Sequence, residues 1–131
     1  MSNKVLLVDD SELIRRTLRV CIEENSDWEV CGEAENGEVA VERVKELHPD
    51  VVILDLQMPV MDGLEAARQI SHMAPKTAML MFTAYDGDPL LRDARDAGIE
   101  QVFSKFDGLA THLLASLEGV RLRTEPGAGS D

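Results

Sequence analysis

The sequence predicts an α/β protein built as a doubly wound, five-stranded parallel sheet with five helices. Three observations carry that reading. Five short apolar runs alternate with five helical patterns along the chain, which is the signature of repeated strand–helix units. Several of the runs are continuously apolar rather than alternating, as strands covered on both faces must be. Two of them, "KVLLVDD" and "VVILDLQMPVMDG", end abruptly in acids. A carboxylate at the mouth of an apolar strand is costly to desolvate, so a pair of such strands points to one shared site.

The strands are expected at Val5–Val8, Glu29–Gly32, Val51–Leu54, Ala78–Phe82 and Gln101–Ser104. The first helix starts after Ser11, a good N-cap, and recurs apolar at Leu13, Ile14, Leu18, Cys21 and Ile22. Its wet side carries Glu12, Arg15, Arg16, Arg19 and Glu23. The second helix runs from Gly37 to Leu47, burying Ala40, Val41, Val44 and Leu47, and His48-Pro49-Asp50 stops it. The third lies between Gly63 and about Met73, with Leu64, Ala67 and Ile70 inward. Asp88 caps the fourth, Pro89 opens it, Leu90, Leu91 and Ala94 face the core, and Gly98 ends it. The fifth follows Asp107 and carries Leu109, Leu113, Leu114 and Leu117. Right-handed crossovers and five strands suit the flavodoxin-like order 2-1-3-4-5.

A chain of 131 residues fits one domain, and 44% apolar residues supply one core. Residues 1–118 are expected to form it, with 119–131, which include "TEPGAGSD", as a flexible tail or the start of a linker. That tail is too short for a second domain, so the chain reads as a stand-alone domain or a fragment of a longer protein. A net charge of -12 argues against nucleic-acid binding by this chain, because duplex affinity rests on neutralising phosphates. No apolar run is long enough to span a bilayer and no secretory leader is evident, so the expected location is the cytoplasm, with no membrane partner. Cys21 and Cys31 match no metal spacing and are expected as reduced, buried thiols; His48, His72 and His112 also lack ligand spacing. "GEAENG" imitates part of a phosphate loop, but Glu38 stands where a lysine is required.

In a doubly wound sheet, ligands bind beyond the carboxyl ends of the strands. Read in order, those ends offer Asp9 and Asp10, then Asp55, then Thr83 and Ala84, then Lys105. Clustered carboxylates repel one another and invite a hard cation. Mg2+ is commonly held by one or two carboxylates together with phosphate oxygens. On the central strand, Asp55 is a candidate carboxylate nucleophile forming an aspartyl phosphate. Lys105 would pair with one phosphoryl oxygen and Thr83 donate to another, while the small Ala84 leaves the approach open.

Four segments, "VLLVDDSELIRRTL", "VVILDLQMPVMDGLEAARQI", "MLMFTAYD" and "AGIEQVFSK", resemble in order and spacing the receiver domain of two-component response regulators, the CheY-like superfamily. The likeness runs from Lys4 to about Leu117. It implies Asp55 as phosphoacceptor, Asp10 as direct Mg2+ ligand, Asp9 acting through water, and the backbone carbonyl of Gln57 completing the protein ligands. Mn2+ can stand in for Mg2+. It also implies Thr83 and Lys105 as switch hydroxyl and phosphate-pairing lysine. The phosphoryl group would come from a sensor histidine kinase, a phosphotransfer protein or a small donor. The signal would pass through the fourth helix, fifth strand and fifth helix to an output protein, with a phosphorylation-dependent dimer among the assemblies open to it. "WEVCGEAENGEVAVE" further resembles receivers that precede a helix-turn-helix output domain.

Two positions depart from the pattern. Val102 stands where many receivers place an aromatic whose rotamer follows the switch, so the coupling is expected in the Thr83–Ala84 loop instead. Phe103 should face the other side of the strand from Val102. Phe106 replaces the proline common after the lysine, so a trans bond is expected there. Two rival readings remain. A haloacid-dehalogenase-like phosphotransferase or phosphatase also uses a strand-end aspartate, but Gln57 occupies the place of its second acid. A non-phosphorylated pseudo-receiver acting only as an interaction module is opposed by the intact acidic set. The chain is therefore expected to be a phosphorylatable signalling domain rather than an enzyme.

Overall fold

The computed structural model describes residues 3–84, 88–105 and 108–124. The elements alternate strictly: β1 (Lys4–Val8), α1 (Glu12–Asn25), β2 (Glu29–Ala34), α2 (Gly37–Leu47), β3 (Val51–Asp55), α3 (Gly63–Met73), β4 (Ala78–Thr83), α4 (Asp88–Asp96), β5 (Gln101–Ser104) and α5 (Leu109–Thr124). The strands form one parallel sheet in the order β2-β1-β3-β4-β5, as the sequence predicts.

Alternation along each strand divides the core in two. Val5, Leu7, Val51, Ile53, Leu80, Phe82 and Phe103 face Leu18, Ile22, Leu113, Leu117 and Val120 of α1 and α5. Leu6, Val8, Val52, Leu54, Met79 and Met81 face Ala40, Val44, Ala67, Ile70 and Ala94 of α2, α3 and α4. Val5–Val8 of β1, Val51–Leu54 of β3 and Ala78–Phe82 of β4 are therefore continuously apolar and buried, because neither face meets water. Val102 packs against the second cluster and Phe103 lies in the first, so the two point to opposite sides.

The helix starts are chemically fixed. Ser11 accepts from the Ile14 N–H at 3.2 Å, Asn36 from Val39 at 2.9 Å and Asp62 from Glu65 at 2.9 Å. Beyond α4, Gly98 takes φ +96°, a conformation that glycine adopts without strain.

Several expectations need correction. Leu13 is 67% and Leu91 44% exposed, although both were expected inward. Each adjoins another apolar residue about 100° round the helix: Ile14, which packs against the core in place of Leu13, and Leu90, which is half-buried. Cys21 and Cys31 are free thiols, but half-buried rather than buried. α5 continues through Thr124, so the expected domain edge at 118 falls inside a helix. Val120, 2% exposed, gives the helix its reason to continue. The Lys105–Phe106 bond, the helix start at Asp107 and residues 125–131 of the expected tail lie outside the described residues.

Candidate functional site

Strand register assembles the site. Val8 of β1 pairs with Leu54 of β3, so Asp9 and Asp55 leave adjacent strands at the same level. Thr83 of β4 pairs with Ser104 of β5, which sets Lys105 one residue beyond that edge. Asp9 and Thr83 are buried at 0% and 1% exposure, Asp55 at 3%, whereas Asp10 and Ala84 are exposed. Asp9, Asp10 and Asp55 each offer a carboxylate oxygen within 4.8 Å of the others.

Lys105 reaches across β4 into this cluster. Its Nζ donates to Asp55 Oδ2 at 3.0 Å and lies 3.3 Å from Asp9 Oδ2. The same ammonium sits 5.4 Å from the centroid of the Phe82 ring, within cation–π range. Burial pushes the Asp55 carboxyl above its ordinary value; the Lys105 bond and charge only partly oppose that. Asp9 is also raised, first by burial, with the Ser11 N–H opposing and the Asp55 charge adding to it. Lys105 is raised as well: burial alone would lower it, but two carboxylates outweigh that. The site thus holds more negative charge than its lysine neutralises.

The loops around the acids are closely fitted. The Ser11 N–H donates to Asp9 Oδ1 at 2.8 Å. The Gly63 N–H donates to the Leu56 carbonyl at 2.8 Å, and a Cβ at Gly63 would collide with the Asp55 carbonyl oxygen. Only glycine permits α3 to start that close to the end of β3. The Gly37 N–H donates to the Met61 carbonyl at 2.9 Å, tying α2 to the same loop. Within that loop Val60 is 76% exposed and left-handed, with φ +70°.

The structure brings together Asp9, Asp10, Asp55 and Lys105, with Thr83 buried at the adjoining strand end. Gln57 is exposed two residues beyond Asp55, and its backbone N–H works against the upward push of burial on the Asp55 carboxyl. Val102 is half-buried on β5. Sequence reasoning left Arg15 on the wet side of α1, yet its guanidinium donates to the Asp9 carbonyl and pairs with Glu33. Gly63 was read only as the start of the third helix.

A parallel doubly wound sheet with an acidic cluster and a lysine at its carboxyl edge defines a receiver-type α/β domain. The chain belongs to the response regulator receiver domain family, whose model matches residues 5–114. It is 44% identical over 107 residues to a protein-glutamate methylesterase/protein-glutamine glutaminase of Alkalilimnicola ehrlichii, covering 80% of this chain and 27% of that protein. The chain thus spans about a quarter of that relative's length. Among solved structures, the response regulator domain of Thermotoga maritima CheB superposes with a TM-score of 0.85 at 31% identity, covering 92% of this chain and 96% of that one. A CheX-CheY-BeF3-Mg+2 complex from Borrelia burgdorferi gives 0.82 at 27% identity, covering 89% and 87%.

Proposed function

We propose that Asp55 is the phosphoacceptor of this receiver and that it works with a bound Mg2+. The observation that carries the reading is the buried Asp55 carboxylate on the central strand, 3.0 Å from Lys105 and sharing a 4.8 Å cluster with Asp9 and Asp10. The donor set fits a hard divalent cation. Three carboxylates meet with one ammonium, and Asp9 Oδ2 is buried without a well-directed hydrogen bond. The beryllofluoride and Mg2+ named for the Borrelia CheY complex agree with that fit. Asp10 and Asp55 would supply side-chain oxygens, Gln57 its backbone carbonyl, and Asp9 would act through water; Mn2+ can replace Mg2+. When bound, the ion neutralises phosphoryl charge that the acids would otherwise repel.

The chain's own residues do the rest. One carboxylate oxygen of Asp55 attacks phosphorus in line. The bond from phosphorus to the donor's nitrogen or oxygen breaks, and the electron pair leaves with the donor. Lys105 leaves Asp55 to pair with a phosphoryl oxygen. Thr83, with its hydroxyl at the adjoining strand end, donates to another oxygen and draws its loop inward. Exposed Ala84 leaves the approach clear. Val102 brings no aromatic ring, so the change starts at Thr83 and spreads to α4, β5 and α5, the face that would meet an output protein or a second copy. The donor is a sensor histidine kinase or phosphotransfer protein. The Gln57 amide cannot serve as the acid or base of a second turnover step, so this reading makes the chain a cytoplasmic switch rather than a phosphatase. Among the described residues, no helix is long and apolar enough to cross a membrane.

Acetyl phosphate labelling tests this reading. The expected result is transient labelling at one phosphoryl group per chain, abolished by chelator and strongly slowed in Asp10→Ala. Many turnovers per chain would make it a phosphatase, and absence of labelling would make it a binding module.

A further inference from the structure

Strand β2 contributes no group to the acidic cluster, yet a polar brace connects the two. Arg15 on α1 donates through one guanidinium nitrogen to the Asp9 carbonyl and through Nε to Glu33 Oε1 on β2 at 2.7 Å. Arg19 closes on the other Glu33 oxygen with bonds of 2.7 and 3.0 Å. The Asp9 N–H donates to the Ala34 carbonyl at 3.0 Å, so the backbone of Asp9 is held on both sides. The Asp9 carbonyl belongs to the planar peptide unit that leads into Asp10. Fixing that oxygen fixes the plane and, with it, the direction in which exposed Asp10 leaves the strand. A guanidinium suits this task because its rigid fork serves a carbonyl and a carboxylate at once. The Arg15 side chain is 16% exposed, so solvent competes weakly for these bonds.

We propose that Arg15, anchored by Glu33, is a positioning residue that sets the Mg2+ affinity of the acidic cluster by orienting the Asp9–Asp10 peptide. This rests on the Mg2+ reading above. Charge alone argues the opposite way: Arg15 is a cation beside a cation site, so removing it should tighten Mg2+ binding. The sign of the change therefore separates orientation from electrostatics.

The test is Mg2+ titration of the whole chain by calorimetry. Arg15→Gln should weaken binding about tenfold, the scale seen when a partner that orients a metal ligand is lost. The double variant Arg15→Gln/Glu33→Gln removes one charge of each sign, and it should weaken binding to a similar extent. Arg16→Gln removes the same charge from the next position, where the side chain is exposed and, among the described residues, pairs with Glu12, and should bind at least as tightly as wild type. In acetyl phosphate labelling, Arg15→Gln should raise the Mg2+ concentration for half-maximal rate while the rate at saturating Mg2+ stays near wild type. Without metal, its Ser11 amide should exchange faster with solvent. Should Arg15→Gln fail to fold, Arg15→Lys, which keeps the charge but loses the fork, should show the same weakening. Binding by Arg15→Gln as tight as wild type, or tighter, overturns the proposal. Asp10→Asn separates the two readings: if it loses Mg2+ while Arg15→Gln keeps it, the brace is wrong and the metal site stands. If Asp10→Asn binds Mg2+ like wild type, both fall.

Discussion

The Lys105 ammonium lies 3.0 Å from Asp55 Oδ2, reaching from the edge strand β5 across β4 to the central strand β3. The lysine therefore holds the carboxylate that the proposed chemistry must use. It has a second buried acid, Asp9, 3.3 Å away, and an aromatic face beneath it. Releasing Asp55 to an incoming phosphoryl group thus leaves Lys105 with partners rather than stranded in a dry site.

Asp55→Asn should stabilise the protein at neutral pH. Burial holds the Asp55 carboxyl above 3.8, so between 3.8 and that raised value the folded chain keeps a proton that the unfolded chain has released. Ionised Asp55 therefore costs stability at pH values above its raised folded value. That cost fades as pH falls through that value and is gone below 3.8. Thermal melts should place the variant a few degrees above wild type at pH 7, with the gap closing toward pH 4. A variant less stable than wild type at pH 7 contradicts the charge balance described here.

Gly63→Ala should be severely destabilising, by about 2 kcal/mol or more, because the new Cβ meets main chain at Asp55 and Leu56 rather than a flexible side chain. Chemical denaturation measures this directly. If it folds, its labelling rate should also drop, since relief of the clash must move the acceptor strand end. A neutral variant would show that α3 can start elsewhere.

Val60→Gly should gain about 0.5–1 kcal/mol. A β-branched residue at φ +70° is strained, and a side chain 76% exposed has little packing to lose. The denaturation midpoint should rise with the slope unchanged; a fall would mean the Val60 contacts outweigh its backbone strain.

Much of this was legible because the residues of the site sit at or just beyond the ends of apolar runs. Asp9, Asp55, Thr83 and Lys105 close or follow β1, β3, β4 and β5, and parallel pairing carries such positions to one edge. The brace was not legible. Arg15 and Glu33 sit on different elements, and their meeting depends on a register shift between β1 and β2 at Val5/Leu6 that no local pattern encodes. The left-handed Val60 runs against the extended preference of its residue type, so the surrounding loop imposes it. α5 runs through Gly119, which costs a helix about 1 kcal/mol, because the burial of Val120 outweighs that cost.

Thr83→Ala should still accept phosphate yet lose most of the conformational response. The hydroxyl, buried at the end of β4, is where that response is proposed to begin. Amide hydrogen exchange across residues 83–108, with and without beryllofluoride, reads it. Val102→Ala should retain most of the change, whereas a wild-type response in Thr83→Ala excludes a hydroxyl-led switch. Coupling of this kind is typically about 1–3 kcal/mol, large enough to be seen as altered protection.

The account turns on Asp55, and peptide mapping of the phosphorylated chain tests it most directly. Wild-type protein treated with acetyl phosphate and Mg2+ should carry its phosphoryl group on the peptide containing Asp55, and Asp55→Asn should fold but take none. A phosphoryl group mapped elsewhere, with Asp55→Asn labelled as fully as wild type, would contradict the assignment.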